Sequence, residues 1–181
     1  MIEGPALRGA GGHQALAQAR EQGLSLPVVY NSNGYDSVET LRLLDGWVDI
    51  YMPDAKFFDD STAAGFLAAG DYASRAREAL LEMHRQVGDL QVGSDGIARR
   101  GLLVRHLVLP HGRAGTREVM RFIATQISSN TYVNIMGQYR PSFEVGTPSP
   151  RGRRRHAGRS GLDAGQPARA GADHAAKKCR Q

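Results

Sequence analysis

The chain has 181 residues, 41% hydrophobic and 7% aromatic, with 23 Lys and Arg against 18 Asp and Glu. That length suits one domain with a real core and is short for two. The single cysteine, Cys179, excludes a disulfide framework within the chain and any zinc or iron–sulfur site built from several of its own thiolates.

The charge is unevenly spread. Residues 141–181 hold nine Lys and Arg against three Asp and Glu, so the basic balance belongs to the tail and not to the body. From Arg151 onward there is one Leu, Leu162, and no Ile, Val, Met, Phe, Tyr or Trp. Residues 143–181 are therefore expected to form a disordered Arg/Ala/Gly-rich tail. The arginine run 153–155 could serve as a nucleic-acid arm, but no aromatic side chain is interleaved to stack on bases, which argues against nucleic acid as a partner. With 20 Arg and 3 Lys, the chain has the composition that out-of-frame translation of GC-rich DNA yields; the Gly-rich residues 1–13 share it and stand apart as an uncertain N-terminal segment. The longest apolar run, 101–110, is broken by Arg105 and His106 and falls far short of the roughly 20 residues of a membrane span. The first residues lack a charged start followed by an apolar run, so no secretory signal is read and a cytoplasmic location is expected.

The informative body is 14–142. Residues 14–22 (QALAQAREQ) read as the end of a helix stopped by Gly23. Residues 26–30 (LPVVY) read as a buried strand, followed by Asn31-Ser32-Asn33-Gly34, which is turn chemistry. Ser37 caps a helix over 38–44, with Glu39 in its first turn. Residues 47–52 (WVDIYM) form the next strand, and 53–60 a loop carrying Asp54, Lys56, Asp59 and Asp60. A weak helix over 61–69 and a stronger one over 71–86 follow, the latter with Ala76, Leu80, Met83 and Val87 three or four apart. A small hairpin over 91–98 turns at Gly93-Ser94-Asp95-Gly96. Residues 102–109 (LLVRHLVL) give the strongest strand signal, 116–127 a helix with Val119, Phe122, Ile123 and Ile127 along one face, and 131–136 (TYVNIM) a last strand.

Strands alternating with helices imply an α/β fold with about four parallel strands joined by right-handed crossovers. Ligands of such sheets sit at the carboxyl ends of the strands. That singles out 31–36, 53–60, 110–116 and 137–140. Taken alone, Asn31–Gly34 is an ordinary turn, Asp54 and Lys56 are a surface ion pair worth little, and Asp59-Asp60 is a helix cap and not a metal site. Arg105 and His106 alternate faces of a strand, one entering the sheet's inner side and one meeting a helix. His84 reads as solvated or satisfied at an interface. His111 could act as a base, but no nucleophile accompanies it.

The segments LPVVYNSNGYDSVETLRLLDGWVDIYMPDAKFFD, GLLVRHLVLPHGRAGTREVMRFI and TYVNIMGQYRP together resemble radical SAM proteins related to pyruvate formate-lyase-activating enzymes, over roughly 14–142. The resemblance rests on four strand-end motifs in the correct order. It implies a partial (β/α) barrel of radical SAM type, of which this chain holds the last four strands. It also implies S-adenosylmethionine (SAM) and a [4Fe–4S] cluster as the family's cofactors, SAM being cleaved reductively to a 5′-deoxyadenosyl radical. The cluster-binding Cys-x3-Cys-x2-Cys loop is not in this sequence, so the cluster cannot be bound by this chain alone.

The resemblance further implies cofactor-binding roles for Asn31, Asn33 and Gly34, which match an Asp-Thr-Asn-Gly turn with Asn in place of the acid. Asp54 and Lys56 match Asp-Leu-Lys, Lys56 facing the SAM carboxylate. Gln138 and Tyr139 stand where a Tyr-His pair ends the last strand, and Pro110 and Gly112 match the end of an Arg-Tyr-Val-Val-Val-Pro segment. The expected function is that of a truncated radical SAM protein, silent by itself. The alternatives are a non-catalytic SAM- or nucleotide-binding module and half of a split protein, completed by a separate chain that carries the cysteines.

Overall fold

A computed structural model describes residues 2–3 and 10–139, with side chains from residue 14 onward. The expected disordered basic tail, Arg140 and Cys179 lie outside the described residues. Among the described residues, thirteen elements follow one another: β1 (Ile2–Glu3), α1 (Ala10–Glu21), β2 (Val29–Ser32), α2 (Val38–Leu43), β3 (Ile50–Pro53), α3 (Asp60–Phe66), α4 (Tyr72–Val87), β4 (Gln91–Val92), β5 (Ala98–Leu107), a 3-10 turn (Pro110–Gly112), α5 (Thr116–Phe122), a π-helical turn (Ile123–Ile127) and β6 (Tyr132–Met136).

The architecture is α/β with a mainly parallel sheet. β1 pairs with β2, β2 with β3, β3 with β5 and β5 with β6, all parallel; β4 runs antiparallel, against the start of β5. The two-residue β1, a strand that sequence reading did not expect, lies against β2 at Tyr30 and Asn31. Pairing of β2 starts at Val29, later than the apolar pattern suggests, because Pro27 cannot donate to a ladder and Leu26 is exposed. Caps fall where short polar side chains predict them. Ser37 accepts from Thr40 N at the start of α2, and Asp59 accepts from Thr62 N at the start of α3. The helix expected over 116–127 changes to π geometry after Phe122. Among the described residues, no helix is long and apolar enough to cross a membrane.

The core lies between the sheet and α2, α4 and α5, with Tyr30, Leu41, Leu80, Met83, Leu102 and Val104 almost wholly buried. Within it, Gln86 joins three elements. Its amide accepts from Tyr51 Oη at 2.6 Å and donates to Leu41 O and to Glu82 Oε1, both at 2.8 Å. Arg85 donates to both carboxylate oxygens of Glu82, at 2.9 and 2.8 Å, and to Asp45 at 2.7 Å. These hydrogen bonds from Arg85 hold the Glu82 carboxyl at about 2, well below its ordinary 4.5.

β5 changes partners part-way along. Its first residues pair with β4, and from Gly101 onward it joins the parallel sheet. Gly101 has φ +122°, and a Cβ there would run into the backbone of Asp89 and Leu90.

Two predictions follow from these packed groups. Gly101→Ala should lower unfolding free energy by about 2 kcal/mol in urea titration, because strain and a backbone clash coincide. For Glu82, the depressed pKa means that its stabilisation is present above pH 4.5 and lost as the pH falls toward about 2. The stability gap between wild type and Glu82→Gln should therefore be flat near neutrality and shrink through that acid window.

Candidate functional site

The parallel strands deliver the ends of β3, β5 and β6 to one cleft of about 420 Å³, within the ordinary range for small-molecule sites. Its polar floor is Asp54, Lys56 and Arg105, its rim includes Tyr139, and the rest is apolar: Phe57, Phe66, Leu67, Leu107, Leu109 and Met136. The apolar wall continues a second packed cluster around Phe57, Ala63, Tyr72, Ala73 and Ala76, where α3 and the start of α4 fold over the strand ends. Phe57 and Phe66 stack with ring centroids 5.3 Å apart, and the Arg113 guanidinium lies 6.0 Å from the Phe66 ring centre.

Asp54 and Arg105 face each other across the strand ends as an isolated bridge, and their side chains pair at 2.6 Å. The other Asp54 oxygen lies 3.7 Å from Lys56 Nζ. Two cations thus share one carboxylate, leaving the floor with a surplus positive charge. Arg105 Nε is buried and has no hydrogen-bond partner among the described residues. A floor of this kind suits a ligand carrying a carboxylate and an ammonium group, the first for Lys56 and Arg105 and the second for Asp54.

The backbone beneath these side chains is held from several directions. Asp54 N donates to Ser32 O at 3.1 Å, and Ala55 N to Arg105 O at 2.8 Å. The Tyr72 hydroxyl, from the first residue of α4, lies 2.7 Å from Asn33 O and 3.1 Å from Asp54 O, and accepts from Lys56 N at 3.2 Å. Its burial pushes the phenol pKa upward, so it stays a neutral donor. Gly34 has φ +80°, and a Cβ there would collide with the Asp54 carbonyl oxygen. A glycine is therefore what lets the β2 turn close over the end of β3.

The sequence-predicted residues divide accordingly. Asp54, Lys56 and Tyr139 line the cleft. Asn33 and Gly34 meet the backbone of Asp54 through Tyr72 and through close approach, outside the cleft lining. Asn31 sits within β2, in register with Met52. Gln138 is exposed and is not a lining residue. Of the alternating pair on β5, Arg105 enters the cleft and His106 turns to the helix side, where it meets Thr116 of α5.

His111 occupies the 3-10 turn with φ 59° and does not line the cleft. His84 pairs with Asp89 at 3.0 Å, and Ser128 donates to the same carboxylate at 2.9 Å. The sequence leaves open which of Arg105 and His106 faces inward and gives no sign of Tyr72. Only the neighbouring position of Asp54 on the next strand shows what Arg105 does. Among the described residues, no three His, Cys, Asp or Glu side chains gather as a metal site.

No protein-family model matches the chain. No solved structure matches it. Over 122 residues, 67% of this chain, it is 32% identical to an uncharacterized protein of Methanocaldococcus jannaschii. That match covers 32% of the archaeal protein, so the chain spans about a third of the length of this relative.

Tyr72→Phe tests whether one hydroxyl ties the site together. It strands Lys56 N–H and a carbonyl in a partly buried place, so stability should fall by about 1–3 kcal/mol while the stacked ring is kept. Urea denaturation followed by far-UV circular dichroism would measure it.

Proposed function

We propose that this chain carries the SAM-facing, C-terminal part of a radical SAM core related to pyruvate formate-lyase-activating enzymes. The observation that carries the reading is the Asp54–Lys56–Arg105 floor at the carboxyl ends of β3 and β5, beside an apolar wall. The methionyl end of SAM has the carboxylate and ammonium that such a floor complements. The adenosyl group and methylene chain have the apolar surface for Phe57, Phe66, Leu107 and Met136. The partial-barrel architecture of that family is part of the same proposal, as is participation of Asn31, Asn33 and Gly34 in shaping the site.

The donor set distinguishes two cofactors. SAM fits the residues present, and with a reduced cluster it supplies radical chemistry. A [4Fe–4S] cluster does not fit, because the 181 residues contain one thiol where three thiolates are needed. What these residues do is bind and orient. Lys56 and Arg105 neutralise a carboxylate, Asp54 receives an ammonium, and the apolar wall excludes water from the bound ligand. In this reading the chain binds its ligand without cleaving it, unless a segment bearing the cysteines completes the site.

Isothermal titration calorimetry with SAM and S-adenosylhomocysteine tests the reading. Both should bind, and Lys56→Met should weaken them about tenfold, or ~1.4 kcal/mol. With a strong reductant the chain alone should release no 5′-deoxyadenosine. No heat at millimolar SAM would end the proposal.

A further inference from the structure

The side chains of Asp54 and Lys56 are carried by two consecutive peptide planes, and all four polar atoms of those planes are occupied. Asp54 O meets the Tyr72 hydroxyl at 3.1 Å, and Ala55 N donates to Arg105 O at 2.8 Å. Lys56 N donates to Tyr72 Oη at 3.2 Å. The fourth atom, Ala55 O, lies 2.6 Å from Nδ1 of His106. Ala55 is 3% exposed and His106 wholly buried, so water cannot replace either partner.

A carbonyl only accepts, so Nδ1 carries the proton. Nε2 lies 2.8 Å from Thr116 Oγ1, where a neutral imidazole accepts the hydroxyl proton. Thr116 opens α5, whose N-cap, Gly115, has no side chain to offer. Burial lowers the His106 pKa and favours this neutral form. The imidazole thus links the end of β3 to β5 and α5 without reaching the cleft itself, since Arg105, and not His106, is among the lining residues.

We propose that His106 is a positioning residue of the cleft: as the neutral Nδ1–H tautomer it clamps the Ala55 carbonyl and so sets the direction of Lys56 beside Asp54. Its effect on affinity rests on the ligand reading above; its effect on the backbone does not.

The test compares His106→Leu, which has no donor, with His106→Asn, whose side-chain amide can present an N–H where Nδ1 stood. By amide hydrogen exchange, His106→Leu should speed exchange at Ala55 and Lys56 about tenfold or more while Leu102 and Val104 keep their protection; His106→Asn should restore it. Affinity for SAM should fall about tenfold in His106→Leu and stay within about threefold in His106→Asn. Long-range proton–nitrogen NMR of wild type should show the proton on Nδ1.

Unchanged exchange at Ala55 and Lys56 in His106→Leu would overturn the inference. So would an Nε2–H tautomer, or an Asn variant that behaves like Leu. Should His106→Leu fail to fold, the wild-type tautomer and the exchange pattern of His106→Asn decide the matter. Absence of SAM binding by wild type would sink the functional reading and leave the exchange and tautomer results to judge His106.

Discussion

A single phenolic hydroxyl holds the strand ends together. Tyr72 Oη lies within hydrogen-bond distance of Asn33 O, Asp54 O and Lys56 N, which belong to the segments after β2 and β3. It comes from the first residue of α4, so the longest described helix is locked to the strand ends by its first side chain. The ring is buried, stacks against Tyr35 at 5.9 Å and meets Phe57 edge-on at 6.4 Å. Without that hydroxyl, the turn at Gly34 and the segment bearing Asp54 and Lys56 would each have backbone groups to satisfy inside an apolar cluster.

β5 provides the other half of the frame. It pairs with β3 on one stretch and β6 on another, and its neighbouring residues Arg105 and His106 serve opposite faces. Arg105 gives the cleft its second cation, and His106 gives the adjoining backbone its clamp. The charged floor is thus a consequence of register: the bridge between Asp54 and Arg105 puts the two side chains opposite each other where the strands end. Groups held in this way have little conformational freedom left to lose.

Much of the fold is legible in the sequence. The helix starts at Ser37 and Asp59 were readable because capping is local chemistry, settled within three or four residues. The strands over 47–52, 102–109 and 131–136 showed as apolar runs, although β2, β3 and β5 are displaced by a few residues because pairing partners, and not apolarity, set where a ladder begins. The strand at Ile2–Glu3 has too few residues to show a period, and the switch to π geometry after Phe122 leaves no mark in an amphipathic pattern. Of the expected site residues, Asp54, Lys56 and Tyr139 meet in the cleft, whereas Gln138 is exposed and Asn31 stays within its strand.

By itself, then, the sequence determined the alternation of helices and strands and the segments that fall at strand ends, since each depends on residue type and near-neighbour spacing. Tertiary structure alone decided which face of β5 Arg105 and His106 would take, and that Tyr72 would reach three backbone groups in two loops. Those outcomes depend on contacts between residues tens of positions apart, whose geometry is set by strand register and helix docking and has no local signature in the chain.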